Sequence, residues 1–424
     1  MSVPNIGELR AQLDACPTAH HVAQYVARRL FSADFQSIVD ESSANTETGE
    51  IFSARRGFIV RNGAIVAWSI PSHSLGQGIR IVGAHTDSPG LHIKPRPDST
   101  VAGWRQLAIE IYGSPLINSW LDRDLGIAGH VVLKNQRTHV FTHRSPIARV
   151  SQLAIHLDRE VNERGLIIDK QQHLTPIWAT TPGQTFLSWV AYKCAVEQDE
   201  IVSIDAQLFD VQPSSVLGLD ETLLTSARLD NQVSCWAAIE ALLQAGEKYP
   251  SFVILYDHEE VGSGTTTGAA GPFLEHVIER IAISAGIDRA GFLNILQQSH
   301  CVSVDNAHAI HPNYPERHDP LHAPIVNGGP VIKTNSNQRY ATSSNAIGPF
   351  ISACNARQIP TQHFVSRNNL ACGSTIGPIT ATRLGIDTVD VGVAQLSMHS
   401  IREVCGVHDP IMMANALCAY FERC

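Results

Sequence analysis

The sequence predicts an α/β fold, a mixed β-sheet covered by helices, with a second and mostly β domain inserted into it. After about residue 250, apolar runs of strand length alternate with stretches of helical periodicity, which is typical of a parallel or mixed sheet with helices on its faces. Between residues 95 and 221, short runs with strand-like alternation dominate instead. We therefore expect a discontinuous α/β domain over residues 1–94 and 222–424, interrupted by a β-rich domain over 95–221.

Composition places the chain among globular proteins and excludes some partners. Its 424 residues suffice for two domains, and 44% of them are hydrophobic while 17% are charged. The formal net charge of −9 disfavours binding to nucleic acid or to an anionic membrane, because both would be repelled. An acidic substrate would need a local cationic pocket.

The cysteines and the N-terminal stretch indicate a reduced, cytoplasmic protein. Nine cysteines are scattered without a C-x-x-C pair, so neither a disulfide framework nor a structural zinc knuckle is predicted. Residues 1–20 lack a basic stretch followed by an apolar one, and no run of 18 apolar residues occurs. We expect neither export nor membrane insertion.

The first ninety residues predict a helical pair followed by β-strands. Thr18 is a good N-cap for the second helix, and Asn62-Gly63 between two apolar runs is a strong hairpin signal. The predicted elements are helices over 6–15 and from Thr18 to about Leu30, strands over 56–61 and 64–68, and a buried strand over 79–82.

The middle of the chain opens with a linker-like stretch at residues 95–99, which contains Pro95 and Pro97. Four β runs follow, at 107–112, 130–133, 139–142 and 201–204. The remainder predicts a helix after Asp230, strands over 252–256, 301–304, 331–333, 362–365 and 388–391, and helices over about 272–285, 344–357 and 409–422.

Chemically reactive side chains follow several of these strands. Ligands of open α/β sheets bind outside the carboxyl ends of the strands, so the polar residues at those ends are candidates for a site. They are His85 and Asp87, Asp230 at a helix entry, the adjacent pair Glu259 and Glu260, Asp305, and His399.

Imidazole and carboxylate ligands suit Zn²⁺, Mn²⁺ or Co²⁺ better than a thiolate site would. Three ligands for each of two metals, with one shared carboxylate, would use five of these residues. Asp87 could then orient His85, and one glutamate would be free for proton transfer. The alternatives are that the glutamate pair only begins a solvated helix, and that His85-Thr86-Asp87 is incidental in a chain with twenty histidines.

Six motifs together resemble the M18 aspartyl aminopeptidases, in order and over nearly the whole chain. They are residues 84–90 (AHTDSPG), 228–231 (RLDN), 257–263 (DHEEVGS), 304–308 (VDNAH), 333–340 (KTNSNQRY) and 397–403 (SMHSIRE). The resemblance implies a zinc-peptidase-like catalytic domain and a metallo-exopeptidase that removes N-terminal residues, preferably Asp or Glu.

The resemblance also implies a role for each strand-end residue. It makes Asp230 the ligand that bridges two divalent ions, most commonly Zn²⁺, with Co²⁺ or Mn²⁺ possible. The first ion would also be held by His85 and Asp305, and the second by Glu260 and His399. Glu259 becomes the general acid/base, and Asp87 becomes the orienting acid.

Substrate selection and assembly are implied in the same way. Lys333 and Arg339 are candidates for binding an acidic side chain, although either could be an ordinary surface charge. The β-rich domain would mediate assembly of a homo-oligomer, a dodecamer by resemblance, and His156 would reach the active site of a neighbouring subunit. His308, His311, His318 and His322 receive no role.

Two other functions stay open. A related enzyme, such as a broad-specificity aminopeptidase or an N-acyl deacylase, could share the ligands without the acidic preference. A non-catalytic assembly shell is the other alternative, and an intact Glu259 argues against it.

Overall fold

The computed structural model describes residues 4–38, 51–71, 75–246 and 248–422, which form three β-sheets and their covering helices. The fold is of the mixed α/β class that the sequence predicts. Within the described residues, no helix is long and apolar enough to cross a lipid bilayer.

The largest sheet has nine strands, and its centre is parallel. With strands numbered along the chain, its order is β1 (Gln36–Ser37), β2 (Arg56–Arg61), β3 (Ala64–Ser69), β13 (Ser251–Tyr256), β4 (Arg80–His85), β14 (His300–Val304), β18 (Asp387–Gly392), β16 (Val331–Thr334) and β17 (Gln362–Val365). Strands β13, β4, β14 and β18 run parallel, whereas β3 and β16 run antiparallel to their central neighbours. The carboxyl ends of the four central strands therefore share one edge.

The second sheet has six antiparallel strands and contains the four β runs predicted for the middle of the chain. Its order is β8 (Thr138–Ala148), β7 (Leu125–Leu133), β10 (Ile201–Asp210), β5 (Gly90–Val101), β6 (Trp104–Tyr112) and β9 (Ile177–Ala179). Its own apolar core includes Trp120, Phe141 and Trp189.

The prediction of a linker at residues 95–99 is wrong, because these residues lie inside β5. The pairing of β5 with β6 shifts register between Ile93 and Asp98. Proline has no N–H to donate to a neighbouring strand, so it is tolerated in a sheet at such an irregularity. The two prolines mark a bulge and not the end of the strand.

A third sheet of five strands joins distant parts of the chain beside the large sheet. Its order is β11 (Ser215–Leu217), β12 (Leu223–Ser226), β20 (Glu403–Gly406), β19 (Ala394–Leu396) and β15 (Ala307–His308). Ser226 pairs with Glu403, which brings the segment before Asp230 next to the segment after His399.

Helices cover both faces of the large sheet, as the alternation of strands and helices predicts. They are α1 (Ile6–Ala15), α2 (Ala19–Ser32), α5 (Leu229–Gln244), α6 (Phe273–Ser284), α7 (Arg289–Gln297), α8 (Ser344–Ala356), α9 (Ile376–Leu384) and α10 (Asp409–Glu422). The helices α3 (Val161–Arg164) and α4 (Phe186–Cys194) lie in the middle of the chain, and α4 packs into the core of the six-stranded sheet. One apolar core packs α5 and α10 against one face, and a second packs α6 and α7 against the other.

Local signals in the sequence explain where several elements begin and turn. The side chain of Thr18 accepts a hydrogen bond from the His21 N–H and caps α2. Arg61 pairs with Ala64 across the two-residue turn Asn62-Gly63, and Asn62 has the positive φ of 53° that such a turn requires. The predicted hairpin is confirmed.

Candidate metal centre

The parallel centre of the large sheet gathers the strand-end residues at one edge. His85 is the last residue of β4, the pair Glu259 and Glu260 lies just beyond β13, and Asp305 follows β14 directly. Asp230 enters from the start of α5, where the backbone is not yet helical. His399 lies in the connection between β19 and β20. Two sheets and one helix thus converge on a single cluster.

Asp230 lies in the middle of this cluster, and its two carboxylate oxygens face different imidazoles. Its Oδ1 atom is 3.4 Å from His85 Nε2, and its Oδ2 atom is 3.5 Å from His399 Nε2. The side chain is buried. One carboxylate therefore lies between two potential nitrogen ligands.

Each imidazole also faces a second carboxylate. Asp305 Oδ1 lies 3.6 Å from His85 Nε2, and Glu260 Oε2 lies 3.4 Å from His399 Nε2. The cluster consequently divides into two groups of one imidazole and one carboxylate, and Asp230 belongs to both.

Both imidazoles are held in the tautomer that leaves Nε2 free to act as a ligand. His85 Nδ1 lies 3.1 Å from the carbonyl oxygen of Asp87, and His399 Nδ1 lies 3.0 Å from the carbonyl oxygen of Ser114. A carbonyl oxygen only accepts hydrogen bonds, so each Nδ1 must carry the proton. The Nε2 atoms, which point at the shared carboxylate, are then the ring atoms available to a cation.

The donor set fits divalent metal ions. Asp230 Oδ1 and Glu260 Oε1 are buried and have no hydrogen-bond partner, which is costly for carboxylate oxygens unless a cation compensates. Ligand atoms of His85, Asp230 and Glu260 all lie within 4.8 Å of one another. Imidazole with carboxylate is a common ligand set for catalytic zinc.

The charges show the same demand for a cation. Burial by itself would raise the pKa of Asp230, but its contacts with His399 and His85 hold that pKa well below its usual range. Burial, followed by the charge of Asp230, raises the pKa of Glu260 well above its usual value. Burial would lower the pKa of His399, yet its hydrogen bond to Asp230 and the charge of Glu260 raise it to about 10. In the absence of other cations, protons on these groups must offset the negative charge.

Asp87 connects the two strand ends. Its Oδ1 atom is 3.4 Å from His85 Nδ1 and accepts the Glu259 N–H at 3.1 Å. Its Oδ2 atom accepts the Glu260 N–H, also at 3.1 Å. The carboxylate therefore fixes the backbone that carries both glutamates, a function beyond the orientation of His85 expected from the sequence.

Glu259 directly precedes Glu260 beyond the end of β13. Its side chain is half-buried, and its backbone N–H donates to Asp87. Burial, with the negative charges of Asp305 and Asp230, raises the pKa of Glu259 to about 7, against the opposing effect of His85. A group that titrates near neutrality can both take and return a proton.

Sequence reasoning did not assign a role to Glu403. This buried carboxyl accepts the Asp230 N–H at 3.0 Å and the His399 N–H at 2.8 Å. It therefore positions two of the candidate ligands through their backbone. Glu403 closes the last of the six motifs, and a carboxylate four residues after a potential ligand is a signal that could have identified it.

Tyr112 and Ser88 were also missed. The Tyr112 hydroxyl donates to Asp87 Oδ2 at 2.7 Å, and the Ser88 hydroxyl donates to the Asp230 carbonyl at 2.6 Å. Neither residue type is a preferred metal ligand, and Tyr112 lies in the six-stranded sheet. Its approach to Asp87 could not be read from local sequence.

The three candidate substrate-binding residues lie in different surroundings. Lys333 is buried, with its Nζ 3.6 Å from Asp305 Oδ2. Arg339 is exposed, and its Nε donates to the carbonyl oxygen of Cys372. His156 is exposed in the short turn Ile155–Leu157 of the middle segment and is not among the residues gathered around Asp230.

The histidines after β15 form contacts within their own loop. The ring of His318 accepts the His311 N–H at 3.1 Å, and His322 Nδ1 lies 2.7 Å from Asp319 Oδ1. His308 is exposed at the end of β15. These contacts describe a hydrogen-bonded loop and do not assign a chemical role to it.

A mixed α/β fold with imidazoles and carboxylates gathered at the carboxyl edge of its sheet defines the class of metallohydrolases. Comparison with known proteins is more specific. The profile of the family described as aminopeptidase I zinc metalloprotease (M18) matches residues 12–421. A protein from Streptomyces coelicolor named "Probable M18 family aminopeptidase 2" is 44% identical, over 98% of this chain and 97% of its own length.

Solved structures agree with that assignment. A chain in a structure titled "Cryo-EM structure of the Ape4 and Nbr1 complex" is 32% identical with a TM-score of 0.93, over 98% of this chain and 85% of its own. A Saccharomyces chain from "Structure of S. cerevesiae mApe1 dodecamer" is 27% identical with a TM-score of 0.85, over 98% of this chain and 96% of its own. The chain belongs to the M18 family and is a metallo-aminopeptidase.

Proposed function

We propose that this aminopeptidase removes N-terminal residues, preferably Asp or Glu, from peptides at a site for two divalent metal ions. The observation that carries the proposal is the position of Asp230, whose two oxygens face two separate pairs of imidazole and carboxylate. Zn²⁺ is the ion that best suits these ligands, and Co²⁺ or Mn²⁺ are the alternatives.

In this proposal the five ligands divide as their distances do. His85 and Asp305 would hold one ion, Glu260 and His399 would hold the other, and Asp230 would bind both. Bound there, the ions would supply Lewis-acid chemistry, which polarises a scissile carbonyl group and acidifies a water molecule. Lys333, whose Nζ lies 3.6 Å from Asp305, would hold that carboxylate in place.

The remaining acidic residues would handle protons and orientation. Glu259 would take a proton from the attacking water and return it to the leaving amine. Asp87 would keep Glu259 in position through the Glu259 N–H and would fix the ring of His85. The two roles need different environments, and Asp87 is fully enclosed whereas Glu259 retains some exposure.

The preference for acidic residues would depend on a cation near the site. The Lys333 ammonium group faces the candidate ligand Asp305, so it is better placed than the exposed Arg339 to attract a substrate carboxylate. Arg339 remains a candidate for the outer part of such a pocket, because its side chain is exposed.

The chain would act as a homo-oligomer in the cytoplasm, with the 95–221 region as the assembly domain. His156 lies in a segment with large exposed apolar side chains, among them Leu157 at 73% and Ile167 at 76% exposure. Such residues are typical of a surface that another subunit covers. The dodecameric yeast aminopeptidase supports this proposal, and the free cysteines of the described residues support a reducing compartment.

The first experiment compares wild type with Glu259→Gln after metal removal and reloading with Zn²⁺, Co²⁺ or Mn²⁺. We expect two bound ions in both proteins and a loss of turnover of about 10²–10⁴-fold or more in the variant. Glu279→Gln on α6, where the side chain pairs with Arg289, is the matched control. Undiminished turnover by Glu259→Gln would refute its role, and one ion per wild-type chain would refute the two-ion site.

A second experiment tests the substrate preference. Rates on Asp-, Glu-, Leu- and Lys-anilides and on N-acetylated Asp should rank the acidic anilides first and leave the acetylated compound intact. Preference for Leu would favour the broad-specificity alternative, and cleavage of the acetyl group would favour a deacylase. Comparing the Asp-to-Leu rate ratio in Lys333→Met and Arg339→Gln identifies which cation carries the preference.

A further inference from the structure

The six-stranded sheet reaches into the metal centre through one short segment. Residues 112–116 begin at the last residue of β6 and are called here the β6 exit segment. Three of its members contact the centre directly: Tyr112 through its side chain, and Ser114 and Leu116 through their backbone. The large sheet alone therefore does not complete the surroundings of the candidate ligands.

The β6 exit segment holds His399 from two sides. The Ser114 carbonyl accepts the His399 Nδ1–H at 3.0 Å, and the Leu116 N–H donates to the His399 carbonyl at 2.8 Å. The first bond sets the tautomer and ring direction, and the second fixes the backbone. Together they point Nε2 of this imidazole at Asp230 and Glu260.

The same segment reaches the turn that carries Glu260. Tyr112 donates to Asp87, which in turn accepts the Glu260 N–H, and the Tyr112 ring is supported by stacking on His92 with centroids 4.6 Å apart. Gly113 lies against Glu260 itself, because a Cβ added at Gly113 would meet Glu260 Cβ at 3.1 Å. Both ligands of one proposed metal ion thus depend on this segment.

We infer that the β6 exit segment is a positioning element for one half of the metal centre, the half formed by His399 and Glu260. The inference rests on the proposed two-ion site. His85, in the other half, takes its support from Asp87 at the end of β4, and Asp305 takes its support from Lys333 on β16. A change in the exit segment should therefore weaken one metal-binding step more than the other.

The decisive test is zinc titration of metal-stripped Gly113→Ala with a chelator competitor. Gly113 has a φ of +67° and Gly103, in the β5–β6 turn, has +84°, but a Cβ at Gly103 meets nothing within 4 Å. Gly103→Ala is therefore a control for backbone strain alone. We expect Gly113→Ala to weaken one zinc-binding step by about 10–100-fold while the other step and the control stay near wild type.

Tyr112→Phe provides a second variant that keeps the ring and removes only the hydroxyl group. Because Asp87 supports both His85 and the Glu260 N–H, we expect Tyr112→Phe to weaken both steps and to lower kcat about tenfold, with Tyr192→Phe on the exposed face of α4 as its control. If Gly113→Ala does not fold, Leu116→Pro decides in its place, because it removes the N–H that donates to the His399 carbonyl at a φ of −70° that proline can adopt. Two wild-type zinc-binding steps that are both unchanged, or both equally weakened, in Gly113→Ala or its replacement would overturn the inference. Fewer than two wild-type steps would instead overturn the proposed function.

Discussion

Replacing Glu403 by glutamine separates the positioning of ligands from the general stability of the fold. The carboxyl group accepts two backbone N–H groups, from Asp230 and from His399. Burial first, and then the charge of Asp230, raise the pKa of Glu403 to about 8. Near pH 7 and without metal the carboxyl group is mostly protonated, so glutamine replaces it without a change of charge and loses one neutral hydrogen bond. We expect the free energy of unfolding of the metal-stripped variant to fall by about 0.5–1.5 kcal/mol.

Metal binding changes the comparison. Nearby cations favour the ionised carboxylate, which accepts both N–H groups, whereas glutamine has one oxygen to accept and presents its NH₂ to the other donor. Losing one hydrogen bond to a charged group costs about 1.5–3 kcal/mol. At about 1.4 kcal/mol per tenfold change, zinc affinity should fall by about 10–150-fold.

The assay is zinc titration with a competing chelator, together with denaturant unfolding of the metal-stripped proteins. Asp409→Asn is the matched control, because Asp409 is a buried carboxyl that also accepts two backbone N–H groups, from Asn327 and Gly329. The control should lose stability and keep its zinc affinity. Zinc binding by Glu403→Gln within about twofold of wild type would refute the reasoning.

Three further predictions concern metal, pH and packing. Removing metal with a chelator should abolish turnover and lower the melting temperature. The reason is that free zinc at 100 times its Kd would stabilise the folded protein by about 2.7 kcal/mol. An unchanged melting temperature would contradict stabilisation of the fold by metal. Burial lowers the pKa of His300 to about 4, below its unfolded value of about 6.5, so its contribution is present above pH 6.5 and is lost as the pH falls towards 4. Metal-stripped His300→Gln should therefore lose about 2–3 kcal/mol less stability between pH 7 and 4.5 than wild type, as measured by urea unfolding; an equal loss would exclude His300. Replacing Trp236, a buried residue of α5, by alanine should lower the free energy of unfolding by about 3–5 kcal/mol. Trp104→Ala, at a side chain that is 47% exposed, should lower it far less in the same denaturant assay.

Much of the fold could be predicted because its signals are local. Alternation and helical periodicity depend on neighbouring residues, and they identified the central strands of the large sheet and most of the helices that cover it, although not the short helices α7 and α9. The hairpin at Asn62-Gly63 followed from the φ values that its turn requires. The same local reading failed at residues 95–99, because the register shift that accommodates two prolines inside β5 is set by the partner strand β6.

The sequence by itself determined which chemistry the strand ends could supply, since imidazole and carboxylate groups are recognisable by residue type. The geometry of the cluster came only from tertiary structure. Asp230 lies between two imidazoles because β12 pairs with β20, which places Ser226 opposite Glu403. These two residues are far apart in the sequence. The hydrogen bond from His399 to the Ser114 carbonyl could not be predicted, for another reason. Every residue has a backbone carbonyl group, so no side-chain pattern indicates which carbonyl accepts a hydrogen bond. Packing of the two larger sheets decides which carbonyl reaches the imidazole.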